Sequence, residues 1–109
     1  MMNQLVVVGR LTSDPVLMED TNGKKFGTMT LAVTRNYKNA EGMYETDFID
    51  FEIWQGIFEN TKTYCKVGDI IGVKGRIEND FKMDGQRITK LVAERVTFLS
   101  STRNIKGEN

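Results

Sequence analysis

The chain has 109 residues, 39% of them hydrophobic, which is enough for one domain with a single core. Fifteen Lys and Arg balance fifteen Asp and Glu, so the net charge of zero excludes the overall basicity that is typical of phosphate-binding proteins. The chain has no His and a single cysteine, Cys65, which excludes a His/Cys zinc site, an internal disulfide and the commonest general base, so no metal or cofactor is predicted.

Strand signals dominate the first part of the chain. Residues 4–11 carry a continuous Leu and Val run, which is typical of a strand buried on both faces, with Gly9 predicted as a bend or bulge. Asn22 and Gly23 predict a tight hairpin turn. A second strand is predicted over residues 26–37, where apolar residues alternate with threonines, and a projecting polar loop is predicted over residues 36–42.

The middle of the chain, Tyr44–Trp54, predicts a third strand with two different faces. Side chains alternate across a strand. One row, predicted to face the core, consists of Ile49, Phe51 and Ile53. The opposite row combines aromatic rings with Asp50 and Glu52, and because unpaired carboxylates are costly to bury, this row is predicted to face water. Large aromatic rings on a solvent-exposed face of a sheet indicate a surface on which flat groups, such as unpaired nucleic-acid bases, can stack.

The hydrophobic period changes after this strand. Residues 57–66 predict a short helix that ends at Gly68 as its C-terminal cap. Strands are predicted over residues 70–81, with Ile71, Val73 and Ile77 on one face, and over residues 87–99, joined by a hairpin turn at Met83-Asp84-Gly85-Gln86. An all-β chain with one short helix between strands three and four has the element order of the OB-fold, a five-stranded Greek-key barrel that binds oligonucleotides or oligosaccharides. The domain is predicted at 1–99, and a short polar C-terminal tail at 100–109.

Six phrases spread over residues 3–99 carry a family resemblance. They are Val8-Gly9-Arg10-Leu11-Thr12-Ser13-Asp14-Pro15, Thr30-Leu31-Ala32-Val33-Thr34-Arg35, Asp47-Phe48-Ile49, Glu59-Asn60-Thr61, Tyr64-Cys65-Lys66-Val67-Gly68 and Val73-Lys74-Gly75-Arg76-Ile77. Each is weak alone, but their order and spacing together resemble the bacterial and phage-type single-stranded DNA-binding proteins, the SSB family. The resemblance implies sequence-nonspecific binding that coats and protects single-stranded DNA in replication, recombination or repair.

The resemblance also implies a DNA path over aromatic side chains, at Tyr37, Phe48, Trp54 and Phe81. For Phe48 and Trp54, the alternation of side chains along the third predicted strand supports a stacking role independently of the resemblance. A subunit interface is the alternative for Phe48. Tyr37 and Phe81 alternate in step with the core-facing side chains of their strands, so burial in the core is the competing interpretation for both. The basic residues predicted to contact phosphate are Arg10, Arg35, Lys38, Lys66, Lys74, Arg76 and Lys82, with Lys24, Lys25 and Arg87 as further candidates. For each of them, a solvated surface charge is the competing interpretation.

The chain departs from the family pattern at two places. Asp50, Gly56 and Asp80 stand where many relatives carry a basic side chain, which predicts fewer phosphate contacts and a shallow salt dependence of binding. Residues 100–109 lack the acidic, hydrophobic tip through which long SSB chains recruit repair enzymes, so recruitment through such a tip is not expected. The resemblance further implies a homotetramer, with a dimer as the alternative. The first strand, residues 4–8, is its predicted pairing edge.

Two other functions compete with this interpretation. Asp47, Asp50 and Glu52 are conceivable Mg²⁺ ligands, but Asp47 and Asp50 point to opposite faces and no nucleophile is near, so an enzyme is not predicted. An adaptor of the primosomal type, acting mainly through protein partners, would share the OB-fold. The sequence has no signal peptide or membrane-spanning stretch, which predicts a cytoplasmic, nucleoid-associated protein with no membrane partner.

Overall fold

The computed structural model describes residues 1–101. They form the strands β1 (Leu5–Leu11), β2 (Val16–Glu19), β3 (Lys25–Lys38), β4 (Tyr44–Trp54), β5 (Ile70–Phe81) and β6 (Arg87–Ser100), with the helix α1 (Gln55–Tyr64) between β4 and β5. Hydrogen bonds join the strands in the order β1-β5-β6-β4-β3-β2, and a further β1–β3 pairing closes the sheet. All strands except β2 belong to this closed barrel, so the predicted five-stranded OB-fold is confirmed.

The core of the barrel is built from the inward rows of its strands. The side chains that are almost completely buried are Leu11, Met29, Leu31, Phe51, Ile53, Ile71, Val73, Val92 and Ala93. Phe51 and Ile53 confirm the predicted core row of β4, and Ile49 packs against the core from a half-buried position. Within residues 1–101, no helix is long and apolar enough to cross a membrane.

Helix α1 packs on the end of the barrel through Phe58 and Thr61, which are both buried. The ring of Phe58 lies on Gly27 of β3, where an added Cβ would overlap it. The helix begins and ends two residues before the predicted bounds of 57 and 66, and Gly68 is not its cap. Instead, Gly68 has φ +94° in a turn that is closed by the hydrogen bond from the Asp69 amide to the Lys66 carbonyl at 3.0 Å.

Two predictions about the strand β1 were wrong. The strand β1 is not buried on both faces, because no other described element covers the outer side, where Val6 is 71% exposed. Gly9 is no bulge: it pairs with Ile71, and an added Cβ would lie 2.8 Å from the Ala32 carbonyl oxygen where β1 crosses β3. Ile77 is exposed because β5 has left the barrel by that residue. The short strand β2, exposed along its whole length, was not predicted.

Two strand pairs extend beyond the barrel as arms. The β3–β4 arm (residues 34–46) contains a bulge, since residues 35–37 stand opposite Glu45 alone. Its tip closes through a hydrogen bond from the Asn39 amide to the Met43 carbonyl at 2.8 Å. The β5–β6 arm (residues 77–91) turns at Gly85, which has φ +87° as the hairpin prediction required. The strand β6 includes Ser100, so it extends one residue into the tail predicted at 100–109. Residues 102–109 of that tail lie outside the described residues.

Candidate nucleic-acid interface

One outward face of β3 and β4 carries the predicted aromatic row. The strand register pairs Trp54 with Phe26, Glu52 with Thr28, Asp50 with Thr30 and Phe48 with Ala32. Side chains on the same face of a strand repeat every ~7 Å, so the rings of Phe48 and Trp54 are about 20 Å apart along β4, with two carboxylates between them. The structure thus places stacking surfaces and hydrogen-bond acceptors in one line.

A groove of about 760 Å³ follows this face, and we call it the β4–β6 groove. It forms because β4 and β6 pair only at Glu52–Val92 and Ile53–Ala93 and then diverge. Its lining residues are Phe26, Thr28, Thr30, Phe48, Ile49, Asp50, Phe51, Glu52, Thr89, Lys90 and Leu91. None of the basic residues that were predicted to contact phosphate lines this groove. The only cation among its lining residues is Lys90, and sequence reasoning did not single it out.

Trp54 is half-buried at the end of β4, directly before α1. Its ring centroid lies 5.9 Å from that of Phe26, with the ring planes tilted by 49°. The Lys24 ammonium lies 4.4 Å from the centroid of the Trp54 ring. Such a cation–π contact contributes about 0.5–1 kcal/mol at an exposed site. A flat ligand that reaches this face of the indole therefore displaces a flexible lysine and no packed core residue.

The other predicted stacking residues are largely exposed: Tyr37 by 60%, Phe48 by 67% and Phe81 by 65%. A core role is therefore excluded for Tyr37 and Phe81 within this chain. Both follow the core phase of their strands, but they lie on the arms, where the barrel no longer covers that face.

Arg35 is engaged within the β3–β4 arm. Its Nε and Nη2 donate to the two carboxylate oxygens of Asp47 at 2.9 and 2.8 Å, and its Nη1 donates to Glu45 at 2.8 Å. The hydrogen bonds with Asp47 raise the pKa of Arg35 and are the main reason why the pKa of Asp47 is lowered. Asp47 belongs to the row of Ile49, so this cluster lies on the opposite face of the strand from Phe48.

Tyr37 follows Arg35 to that opposite face, because its ring centroid lies 6.0 Å from the guanidinium carbon. On the Phe48 side, the arm instead presents Tyr44, which is 56% exposed and has the Lys38 ammonium 5.7 Å from its ring. The predicted aromatic residues of the arm are therefore divided between its two faces. A strand of nucleic acid that touched both Tyr37 and Phe48 would have to pass around the edge of the arm.

Arg76 and Lys90 are surrounded by carboxylates. Arg76 donates to Glu78 at 2.5 Å and to Glu94 at 3.2 Å, and these hydrogen bonds raise its pKa. The Lys90 ammonium lies 3.3 Å from Glu52 Oε1, and it also lies 3.9 Å from Glu78 and 3.8 Å from Asp80. These positive charges are balanced within the protein, so Arg76 offers less to a phosphate than its sequence position suggests.

The remaining predicted phosphate contacts are spread over the surface. Arg10 donates to the Gly68 carbonyl at 2.9 Å, and Lys66 donates to the carbonyl of residue 62 at 3.3 Å. Lys74 is exposed, opposite Val6 of β1, on a part of the barrel that does not line the groove. Lys82 is exposed at the turn of the β5–β6 arm. These residues do not form one cluster.

Sequence reasoning missed Phe26 as a member of the aromatic face. The signal was present, because Phe26 has the same parity as Thr28 and Thr30 on β3 and therefore the parity of the outer row. Among residues 1–101, no group of three or more His, Cys, Asp or Glu side chains could hold a metal ion. The arrangement as a whole offers stacking and hydrogen bonding.

Comparison with known proteins gives one consistent family. The model of the "Single-strand binding protein family" matches residues 2–99. Single-stranded DNA-binding protein 3 of Listeria innocua is 44% identical, with 98% of this chain and 69% of the relative covered. Single-stranded DNA-binding protein B of Bacillus subtilis is 38% identical, with 91% of each chain covered.

A solved structure shares the fold at low identity. The Plasmodium falciparum SSB complex with ssDNA matches with a TM-score of 0.71 and 19% sequence identity, over 92% of this chain and 96% of that chain. The resemblance found in the sequence phrases is thus confirmed by matches along nearly the whole chain. The chain belongs to the single-strand binding protein family.

Proposed function

We propose that this protein binds single-stranded DNA with little sequence preference, without catalysing a reaction, and protects the strand during replication, recombination or repair. The main support is the outward row of β4, on which Phe48 lines the β4–β6 groove and Trp54 lies next to Phe26, another of its lining residues. Every base has a π face that an aromatic ring can stack on, whereas a duplex hides those faces. Matched relatives named single-stranded DNA-binding proteins support this function.

Stacking carries the larger part of the proposed affinity. Phe48 and Phe81 offer open rings, and Trp54 offers its indole once Lys24 moves aside. The released Lys24 ammonium can then approach a phosphate of the same strand. Because Arg35 and Arg76 are held in ion pairs, we assign them to the architecture of the arms and leave phosphate contact to exposed lysines such as Lys38, Lys74 and Lys82.

The decisive experiment is a titration of the intrinsic fluorescence of Trp54, the only tryptophan of the chain. Addition of an oligothymidine strand should change this fluorescence, and a duplex of equal length at the same salt should change it much less. Equal and weak responses to both ligands would favour an adaptor that works through protein partners. Cleavage of labelled strands in the presence of Mg²⁺ would favour an enzyme.

We further propose a homotetramer, because β1 has an open edge and an apolar outer face. Residues 5–10 pair with β5 on one side, while only Arg10 and Leu11 pair with β3 on the other. Val8 and Leu99 are about half exposed and both lie within 4 Å of a Cβ built at Gly72, so they form one apolar patch. Strand edges and apolar patches of this kind favour symmetric self-association.

Light scattering at micromolar concentration tests the assembly. A tetramer mass supports the proposal in full, and a monomer mass contradicts it. A dimer mass supports association through the open edge of β1 but not the further interface that would join two dimers. Val8→Lys places a charge on the apolar patch and should lower the assembly state. Ile88→Lys, on the distant β5–β6 arm, serves as the matched control.

A further inference from the structure

The β4–β6 groove contains carboxylate oxygens that have no hydrogen-bond donor among the described residues. Asp50 is exposed, and its Oδ1 accepts the hydroxyl of Thr30, which holds the carboxylate in place and leaves Oδ2 open. Glu52 has a side chain that is 15% exposed, and its Oε1 faces Lys90 at 3.3 Å. Its Oε2 is shielded from water and has no partner within residues 1–101. A shielded oxygen without a donor costs free energy, and a ligand that brings a donor would relieve this cost.

The charge of the groove determines which part of a DNA strand can enter it. Its charged lining residues are Asp50, Glu52 and Lys90, which leaves one net negative charge. Lys90 is already close to Glu78 and Asp80 as well. A phosphate in this groove would face carboxylates at short range, where like charges repel. The bases, which are uncharged, therefore face the groove while the phosphates stay outside it.

The spacing brings base edges to these carboxylates. Phe48, Asp50, Glu52 and Trp54 follow one another on one face of β4 at intervals of ~7 Å. A base that stacks on Phe48 is therefore within reach of Asp50, and a base that stacks on Trp54 is within reach of Glu52, so its hydrogen-bonding edge can turn toward the carboxylate. Carboxylates accept hydrogen bonds from exocyclic amino groups, as they do from N4 of cytosine in DNA recognition.

We propose that Asp50 and Glu52 give this protein a preference for bases with an exocyclic amino group, foremost cytosine, over uracil and thymine. The N4 amino group of cytosine donates, whereas uracil and thymine carry a carbonyl oxygen at the same position, which repels a carboxylate. The N3–H of uracil and thymine also donates, but it lies between two carbonyl oxygens, and both of them repel a carboxylate that approaches it. Asp50 provides the accessible acceptor, and Glu52 provides the second one when its side chain turns toward the base. This preference rests on the proposed binding of single-stranded DNA and adds a partial reading of its bases.

The test compares oligo-dC with oligo-dU of equal length, since these bases differ in the groups at N3 and C4 and lack the methyl group of thymine. Competition binding against a labelled mixed strand, at fixed salt and with EDTA present, gives the ratio of the two affinities. We expect dC to bind at least about five-fold more tightly than dU, the lower limit for one good base contact. Equal affinities would overturn the preference while leaving single-strand binding intact, whereas no binding of either strand would overturn the proposed function itself.

Isosteric variants then assign the preference to the two residues. Asp50→Asn keeps an oxygen for Thr30 but presents a donor in place of the open acceptor, so the ratio should fall toward one. Glu52→Gln should lower the ratio in the same direction, and circular dichroism confirms that each variant is folded. Glu59→Gln, on the exposed side of α1, removes the same charge away from the groove and should leave the ratio unchanged. A ratio that persists in both groove variants, or that appears only when Mg²⁺ is added, would show that the carboxylates do not read the base.

Discussion

Replacing Phe48 by alanine separates the binding function of the aromatic row from its contribution to folding. The side chain is 67% exposed, and its ring is not paired with another ring in the described part of the chain. Covering a third of an aromatic side chain of about 200 Å² buries roughly 65 Å², so the ring contributes at most about 1.5 kcal/mol to stability. The loss of one stacked base is expected to cost about 1–3 kcal/mol of binding, which is roughly a 5- to 150-fold increase in Kd.

The assay uses the tryptophan that this substitution leaves in place. Titration of Trp54 fluorescence with a single strand gives Kd, urea unfolding gives stability, and light scattering gives the mass of the assembly for the same preparation. Phe48→Leu is the matched variant, because it keeps an apolar side chain but removes the π face, and it should lose most of the same affinity. Less than a two-fold change of Kd in a folded Phe48→Ala protein would refute stacking at this position. Lost affinity together with a smaller assembly would place Phe48 at a subunit contact.

Further substitutions test other parts of the structure. Trp54→Ala should weaken binding by about 1–3 kcal/mol, which fluorescence anisotropy of a labelled strand measures. It should also destabilise the fold more than Phe48→Ala does, because the half-buried indole is in contact with neighbouring side chains, and urea unfolding measures this effect. Asp50→Lys and Asp80→Lys should each tighten binding at low salt and steepen the slope of log K against log salt by about 0.7 for every phosphate gained. An unchanged slope would place Asp80 off the DNA path, whereas at Asp50 it would mean that this position contacts bases and no phosphate. Because Arg35 lowers the pKa of Asp47, the stability from this pair is present above the unfolded carboxyl pKa of about 3.9 and is lost as the pH falls through the folded value. Asp47→Asn should therefore destabilise the protein at neutral pH, and urea unfolding should show that its difference from the wild type shrinks on acidification.

The fold could be predicted because its local signals agree with one another. The alternation around Phe51 and the turns at Gly23 and Gly85 each indicated one structure, and the protein adopts it at all three places. The strand β2 was missed because Val16–Glu19 is exposed on both faces and has no alternating pattern. The helix ends at Tyr64 because the chain leaves the helical region at Cys65, with φ −113° and ψ 137°, and no residue type in the sequence indicates this.

The site was predictable where it depends on one strand and hidden where it depends on several. Phe48 and Trp54 were found because parity along β4 assigns them to the outer row. The pairing state of Arg35 was not visible, because its carboxylate partners lie on β4, beyond a bulge that changes the register. Lys90 was overlooked for a similar reason, since its place in the groove depends on how β6 diverges from β4.

If the β3–β4 arm contacts DNA, as proposed, its ion pairs would affect the rate as well as the affinity of binding. Arg35, Asp47, Glu45 and Asn39 connect the two strands and the tip through hydrogen bonds that form within the free protein. An arm that is already ordered loses little conformational entropy when a ligand arrives, whereas a disordered arm loses that entropy during binding. Association is then limited by diffusion and orientation, without a slow folding step. Breaking the pairs would loosen the arm between its remaining backbone pairings, and the cost of ordering it would appear as a lower association rate on the same set of aromatic contacts.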